Sequence, residues 1–380
     1  MKGTGASVAR ASLAAALALL VALTIAACGD SSSTTTSPST TTSPSTTTAP
    51  STTASPSTSL AVTTSLPVET TTTMIPLPTP TIAGTIAFTR GVKGDDNADE
   101  IWVVNTDGTG LKMLAGGEWY AQEYPRWSPD GSKIVYSDGD ICVMNADGSG
   151  KVRLTEHSLS MRTPSWSPDG TQIVFSNMEN DWSIAIYIMN ADGSGLRRVT
   201  TLEGQSLASQ TLHNLTFCDY WPMWATDGKI YFYRIGGDAG NDTATWFSVN
   251  PDGSDLTKLL ELGSNHDVVG QEGIYPQWLK YGLSPDATRV ALHDLDTDRL
   301  AIHAVNGDGA PVTLLDPVAG YTADHTVDVA WSPDGKALAI AGLFDASEWV
   351  TRLMIVNADG TGLSAVPGID AARDPSWRPE

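Results

Sequence analysis

The 380-residue chain has three cysteines, at 28, 142 and 218, and 22 Lys plus Arg against 43 Asp plus Glu. So few thiols cannot form the framework of a disulfide scaffold, so the fold must rest on a buried apolar core. The spacing of Cys142 and Cys218 leaves open whether they pair. A formal charge of −21 is repelled by phosphate backbones and argues against a nucleic-acid partner. There is no Gly-x-Ser-x-Gly elbow, and no hydrolase domain is expected after the repeats described below. Two runs of alternate oxygen ligands, Asp95/Asn97/Asp99 and Asp294/Asp296/Asp298, lack the sixth-position Gly and twelfth-position acid of an EF-hand loop.

Long apolar runs are equally scarce. The one at Ala11–Ala27 follows Lys2 and Arg10, is too short to be a comfortable spanning helix and has the charge layout of an export signal. It ends in Ile25, Ala26, Ala27, Cys28, which resembles the lipobox of bacterial lipoproteins. That resemblance implies cleavage after residue 27, lipidation of Cys28 and a domain held by its lipid at the outer face of the bacterial cytoplasmic membrane. Residues 28–81 then collapse to Ser, Thr, Pro and Ala. Such a composition cannot bury enough surface to offset its conformational entropy, so a disordered linker is expected. Extended as polyproline II, it would reach on the order of 100 Å, and as a coil roughly 40 Å.

From residue 82 onward a unit recurs. Trp127, Ser128, Pro129, Asp130, Gly131 precede an apolar run, and Asn145, Ala146, Asp147, Gly148 follow it. The pattern returns at Trp166–Gly170 with Asn190–Gly193, and at Trp331–Gly335 with Asn357–Gly360. Altered copies start at Trp224 and Trp278; the latter has an insertion at Leu279–Leu283 and Ala287 in place of Gly, so its first hairpin is expected to bulge. Short β-branched runs between turn signals, at a period of about 40 to 60 residues, predict a propeller of four-stranded blades. Ile86–Thr89, Ile101–Asn105 and Leu111–Leu114 supply three strands without a Trp strand, while Pro375, Ser376, Trp377 supply a Trp strand without a unit. Pairing them predicts a closed ring of six blades over 82–380 with no exposed sheet edge at the seam.

These paired motifs resemble the TolB-like β-propeller repeat family over essentially all of 82–380. The resemblance implies the fold and a binding role. TolB itself has an α/β domain ahead of its propeller, where this chain has low-complexity sequence.

In such a blade the Asp-Gly turns share one face, and the remaining connections share the other. The latter include Gly91–Glu100, Gly116–Tyr124, Glu156–Thr163, Thr201–Trp221, Glu261–Tyr275 and Asp316–Asp328. Irregular loops on a rigid scaffold are where recognition resides. Trp119, Tyr120, Glu123, Arg162, Asp219, Tyr220, Glu272 and Asp328 are the candidate ligand residues, since aromatics and carboxylates around an opening suit a sugar ring or a peptide. The expected partner is an envelope protein or a cell-wall polysaccharide, the protein a monomer and not an enzyme, with no cofactor required. The alternative is a carbohydrate lyase or hydrolase holding a transition metal through His213, His266 or His325; calcium at the acidic runs is a weaker option.

Overall fold

The computed structural model describes residues 78–92, 95–116, 121–156, 161–179, 183–201, 218–236, 243–261, 281–294, 299–305, 311–315, 328–345 and 350–380. Cys28, the expected signal peptide and nearly all of the expected linker lie outside them. Among the described residues there are strands and no helices. The first are β1 (Thr85–Val92), β2 (Asp95–Asn105), β3 (Lys112–Gly116), β4 (Glu123–Trp127), β5 (Lys133–Ser137), β6 (Ile141–Asn145) and β7 (Val152–Arg153). Next come β8 (Met161–Trp166), β9 (Gln172–Met178), β10 (Ile184–Asn190), β11 (Arg197–Arg198), β12 (Cys218–Trp224), β13 (Ile230–Gly236), β14 (Thr243–Val249) and β15 (Thr257–Glu261). The last are β16 (Tyr281–Leu283), β17 (Arg289–Asp294), β18 (Arg299–Ala304), β19 (Pro311–Leu315), β20 (Asp328–Trp331), β21 (Ala337–Asp345), β22 (Val350–Asn357), β23 (Ser364–Asp370) and β24 (Ala372–Trp377).

Four sheets have four strands each, in the orders β24-β1-β2-β3, β4-β5-β6-β7, β16-β17-β18-β19 and β20-β21-β22-β23. A fifth holds β8 to β11 and β12 to β15, two four-strand sets joined by a single parallel bridge between Ile184 and Cys218. Each set buries a face against the next. Ala87 and Ile101 pack with Trp127 and Ile134, Val135 with Trp166 and Phe175, and Ile186 with Ile230 and Phe232. Tyr233 and Trp246 then pack with Leu283 and Val290, Ala291 with Leu338 and Met354, and Leu353 with Ile86, Phe88 and Trp377. The succession returns to its start, which makes the fold an all-β propeller.

The seam is a split turn. In the second set, Ser128 N–H donates to Lys133 O and Ala146 N–H to Ser132 O, both at 2.9 Å. At the seam, Arg378 N–H donates to Thr85 O and Thr106 N–H to Gly84 O at the same 2.9 Å. The last residues of the described chain and the first thus share the work of one Ser-Pro-Asp-Gly turn. Ile86 pairs with Trp377, and a Cβ on Gly84 would stand 2.3 Å from the Trp377 indole nitrogen, so only Gly fits there.

The repeated turns account for much of the acidity. Asp130 accepts from Ser128 Oγ at 2.6 Å, Ser132 N–H at 3.0 Å and Ser132 Oγ at 2.8 Å, while Ser128 Oγ accepts from Lys133 N–H at 2.9 Å. Those donors, the Ser128 hydroxyl foremost, hold the Asp130 carboxyl down to about 2. In the second turn type Asp147 accepts from Ser149 N–H and Oγ, and Asp192 from Ser194 N–H and Oγ, each at 2.9 and 2.6 Å.

Several expectations need correction. The strand near Trp278 is β16, so Leu283 sits in the slot that Trp occupies elsewhere and is buried among Tyr233, Trp246 and Val290. Its hairpin does not bulge, because Leu283 faces Val290 and Tyr281 faces Leu292 in unbroken register. Ala287 instead accepts the left-handed φ of 56° that Gly would take freely. The run Gly91–Glu100 is largely strand rather than loop, with Arg90 opposite Glu100 and Val92 opposite Asp95. The fourth strands of the second and third sets, β7 and β11, are only two residues long.

Two predictions follow from these turns. Gly193 has φ 86° and an added Cβ would lie 2.9 Å from Leu154 O, whereas Gly228 has φ 85° with nothing within 4 Å. Gly228→Ala should cost about 1–2 kcal/mol of left-handed strain and Gly193→Ala distinctly more, read from urea unfolding; equal costs would contradict the packing of that turn on the preceding set. For Asp130, the lowered folded pKa means its contribution is complete above the unfolded carboxylate value and is lost as pH falls toward about 2. Carboxyl NMR titration should place its midpoint near 2, with Ser128→Ala moving it up.

Candidate functional site

The first strand of each set lines the axis. β24 lies against β4, β4 against β8, β8 against β12, β16 against β20 and β20 against β24. Their C-terminal ends run into the Ser-Pro-Asp-Gly turns, so their N-terminal ends open on the other face. That end carries Glu123 in β4, Arg162 in β8, Asp219 and Tyr220 in β12, and Asp328 in β20. It also carries Arg373 and Asp374 in β24.

Proline shapes these ends. Pro125, Pro164, Pro222 and Pro375 each stand two residues before the Trp, and proline has no N–H to offer the ladder. The register shifts there between Glu123 and Arg126, Arg162 and Ser165, and Tyr220 and Met223. The residue before each proline takes a left-handed φ: 56° at Tyr124, 55° at Thr163, 56° at Trp221 and 49° at Asp374. In β20 Val329 replaces the proline, and the ladder runs unbroken from Asp328 to Trp331. Such a bulge re-aims a side chain. Tyr124 and Trp221 show the result: they come from β4 and β12, with β8 between, yet their rings meet edge to face with centroids 5.2 Å apart. Both are buried, as are Thr163, Asp328 and Asp374. They form a packed floor beneath the mouth of the axis.

A charged rim lies one residue earlier. Arg373 is 41% exposed and donates to the buried Asp99 carboxylate of β2, while Asp374 N–H donates to Asp328 Oδ2 at 2.9 Å. Burial pulls the Arg373 pKa down, but Asp99, Asp374, Glu123 and Asp328 together raise it above its ordinary value, so the guanidinium stays charged. Gln122 N–H donates to Asp99 O at 3.0 Å, fastening the approach to β4 onto β2. The site therefore presents a fixed cation among carboxylates, with Glu123 and Tyr220 half-buried at matching positions on β4 and β12, on either side of β8. Arg162 falls at the same register position in β8.

Asp219 is different. It is fully buried, and both of its oxygens accept from Arg234, at 2.6 and 2.8 Å. Arg234 in turn lies over the Phe232 and Phe247 rings, so this carboxylate holds β12 to β13. Trp119, Tyr120 and Glu272 lie outside the described residues, as do His213, His266 and His325. Among the described residues no group of three or more His, Cys, Asp or Glu could hold a metal ion. Nor is any helix among them long and apolar enough to cross a membrane. Cys142 is buried and Cys218 half-buried, with no disulfide joining them; burial pushes the Cys142 thiol up to about 12.

Sequence reasoning placed Trp221 on this face, at the end of the connection Thr201–Trp221, but missed Arg373, Asp374, Asp99 and Tyr124 as members of the site. Counting back three and four residues from each strand Trp would have found three of these, since Tyr124 and Glu123 stand to Trp127 as Asp374 and Arg373 stand to Trp377. Asp99 carries no such signal, because it arrives from a different strand.

A scan against family models finds no match to the chain, and a search of curated proteins finds none either. Solved structures do match. TolB from Acinetobacter baumannii is 20% identical with a TM-score of 0.58, over 78% of this chain and 67% of that one. A putative TolB from Agrobacterium tumefaciens is 18% identical with a TM-score of 0.50, over 77% and 92%. A nidogen/laminin complex matches at 12% identity and a TM-score of 0.52, over 78% of this chain and 98% of that one. The hydrazine synthase of Kuenenia stuttgartiensis matches at 13% identity and 0.54, over 79% and 47%. Two of these structures are TolB proteins and one is an enzyme, so the likeness fixes an architecture and not an activity. With the axial strands, the split seam and these neighbours together, the chain has the fold of the TolB-like β-propellers.

Proposed function

We propose that this protein is a non-catalytic binding module whose loop face receives a protein partner of the cell envelope. The observation that carries this reading is the convergence of Glu123, Tyr220 and the Asp99-held Arg373 at one mouth of the axis, over a floor of Tyr124 and Trp221. Fixed charges over buried aromatics suit a protein surface, where a few anchored groups dominate affinity and complementary charge sets partner choice. Neighbours of the fold are consistent with it: one is a complex of nidogen with laminin. A cell-wall polysaccharide is the other ligand class that such a mixture of aromatics and carboxylates suits.

The ring is read as six blades, with the eight-stranded sheet counted as two. Support comes from the single parallel bridge that joins its halves, against the full antiparallel ladders within each half, and from the apolar cluster packed between those halves. The lipobox-like Cys28 and the Ser/Thr/Pro stretch support an extracytoplasmic, lipid-anchored domain, monomeric on its tether.

The test is affinity capture from envelope extract with the full chain and with Glu123→Ala, Tyr220→Ala and Arg373→Ala variants, each checked for folding by circular dichroism. Hot-spot loss of about 2 kcal/mol at a rim residue corresponds to roughly 30-fold weaker capture of the specific partner. Retention of every partner by all three variants would sink the proposal. Asp219→Ala serves as the contrast: it leaves the half-buried Arg234 without its carboxylate and should cost about 3 kcal/mol of stability, seen in the unfolding midpoint.

A further inference from the structure

The N-terminal entry to the domain and the rim stand at opposite ends of the same strands. Gly84 takes the place that Ser132 holds in the second set, so the incoming segment 78–84 is spliced into a Ser-Pro-Asp-Gly turn and enters on the turn face. Its path there is pinned: Ala365 N–H donates to Pro78 O at 3.1 Å, Ile82 packs into the seam cluster, and Gly84 lies against the Trp377 indole. Glu123 and Arg373 stand at the other ends of β4 and β24, which at 5 and 6 residues put roughly 17–20 Å of sheet between the two faces.

We infer that attachment and recognition occupy opposite faces, so that the protein is a bridge: residues 1–77 join the domain on the turn side while a partner docks from the far side, and both ends can be engaged together. The partner this fits is a protein that stands off from the surface to which the stalk is fastened, and a partner lying flat against that surface does not fit. The inference rests on the loop face being the binding surface proposed above.

The experiment places the full chain, tagged at its N-terminus, on phosphatidylcholine vesicles carrying a nickel-chelating lipid. The background is Cys28→Ser with Cys218→Ser, since Cys142 is buried. A single cysteine is introduced at Lys133→Cys on the turn face or Glu156→Cys on the loop face, both exposed positions, then biotinylated and probed with streptavidin. A second pair of variants lacks residues 29–77, which brings the domain close to the vesicle. Shortening the stalk should slow streptavidin binding at position 133 by about tenfold and leave position 156 within about twofold, because occluding one approach direction cuts the association rate. Equal slowing at both positions, or the reverse order, overturns the bridge while leaving partner capture by the rim intact. Asymmetry as expected with capture unaffected by the rim variants removes the recognition half instead, so the two failures are told apart by which measurement moves.

Discussion

Pairing between β1 and β24 is the constraint on which the molecule depends. Without it, β1 and β2 would lose the Trp377 side of their cluster, and the last set would have no partner for Leu353 and Ile355. The ladder from Ile86–Trp377 to Arg90–Ala372 carries a shift where Pro375 cannot donate, yet that same shift turns Asp374 toward Asp328 and sets Arg373 beside Asp99. Closure of the ring and assembly of the rim are one event. Arg378 reinforces it from the turn side, donating to Gly131 O at 3.2 Å and lying 5.1 Å over the Trp127 ring; Arg289 treats Gly335 O and Trp331 in the same way.

Most of the fold was legible because its punctuation is chemical. Pro, Asp and Gly each have one physical job in the turn, and Trp fills the space between neighbouring sets, so the order of these residues maps onto the order of the strands. Where a different residue does the same job, the pattern misleads. Leu283 fills the apolar slot without an indole, and Ala287 bears positive φ without being glycine, so the eye is drawn to Trp278 five residues too early. Strand lengths were less legible: just past β7 and β11 the regular ladder gives way to Leu154 and Val199 N–H donating to Ile141 O and Ile186 O, both at 2.8 Å, and to Ile141 and Ile186 N–H donating to the Thr155 and Thr200 hydroxyls, both at 3.0 Å.

Of the site, the sequence named residues that it assigned to long connections and hid the parts produced by packing. Glu123, Tyr220 and Asp328 were named as loop residues, and they stand instead on β4, β12 and β20. The salt bridge that buries Asp219 could not be named, because Arg234 faces it only through cross-strand register. The overall charge misleads in a similar way: Asp130, Asp147 and Asp192 are bound up in their own turns on the face away from the rim, so the acidity of the whole chain says little about the polarity of the recognition surface.

The split turn also bears on when the molecule can exist. Arg90 and Asp370, which pair beside the seam, are 280 residues apart in sequence, and contacts of such separation form late because the intervening loop must be closed first. A ribosome that has made the first strands holds a chain whose final sheet is still unwritten. Completion is thereby deferred until almost every strand has been made.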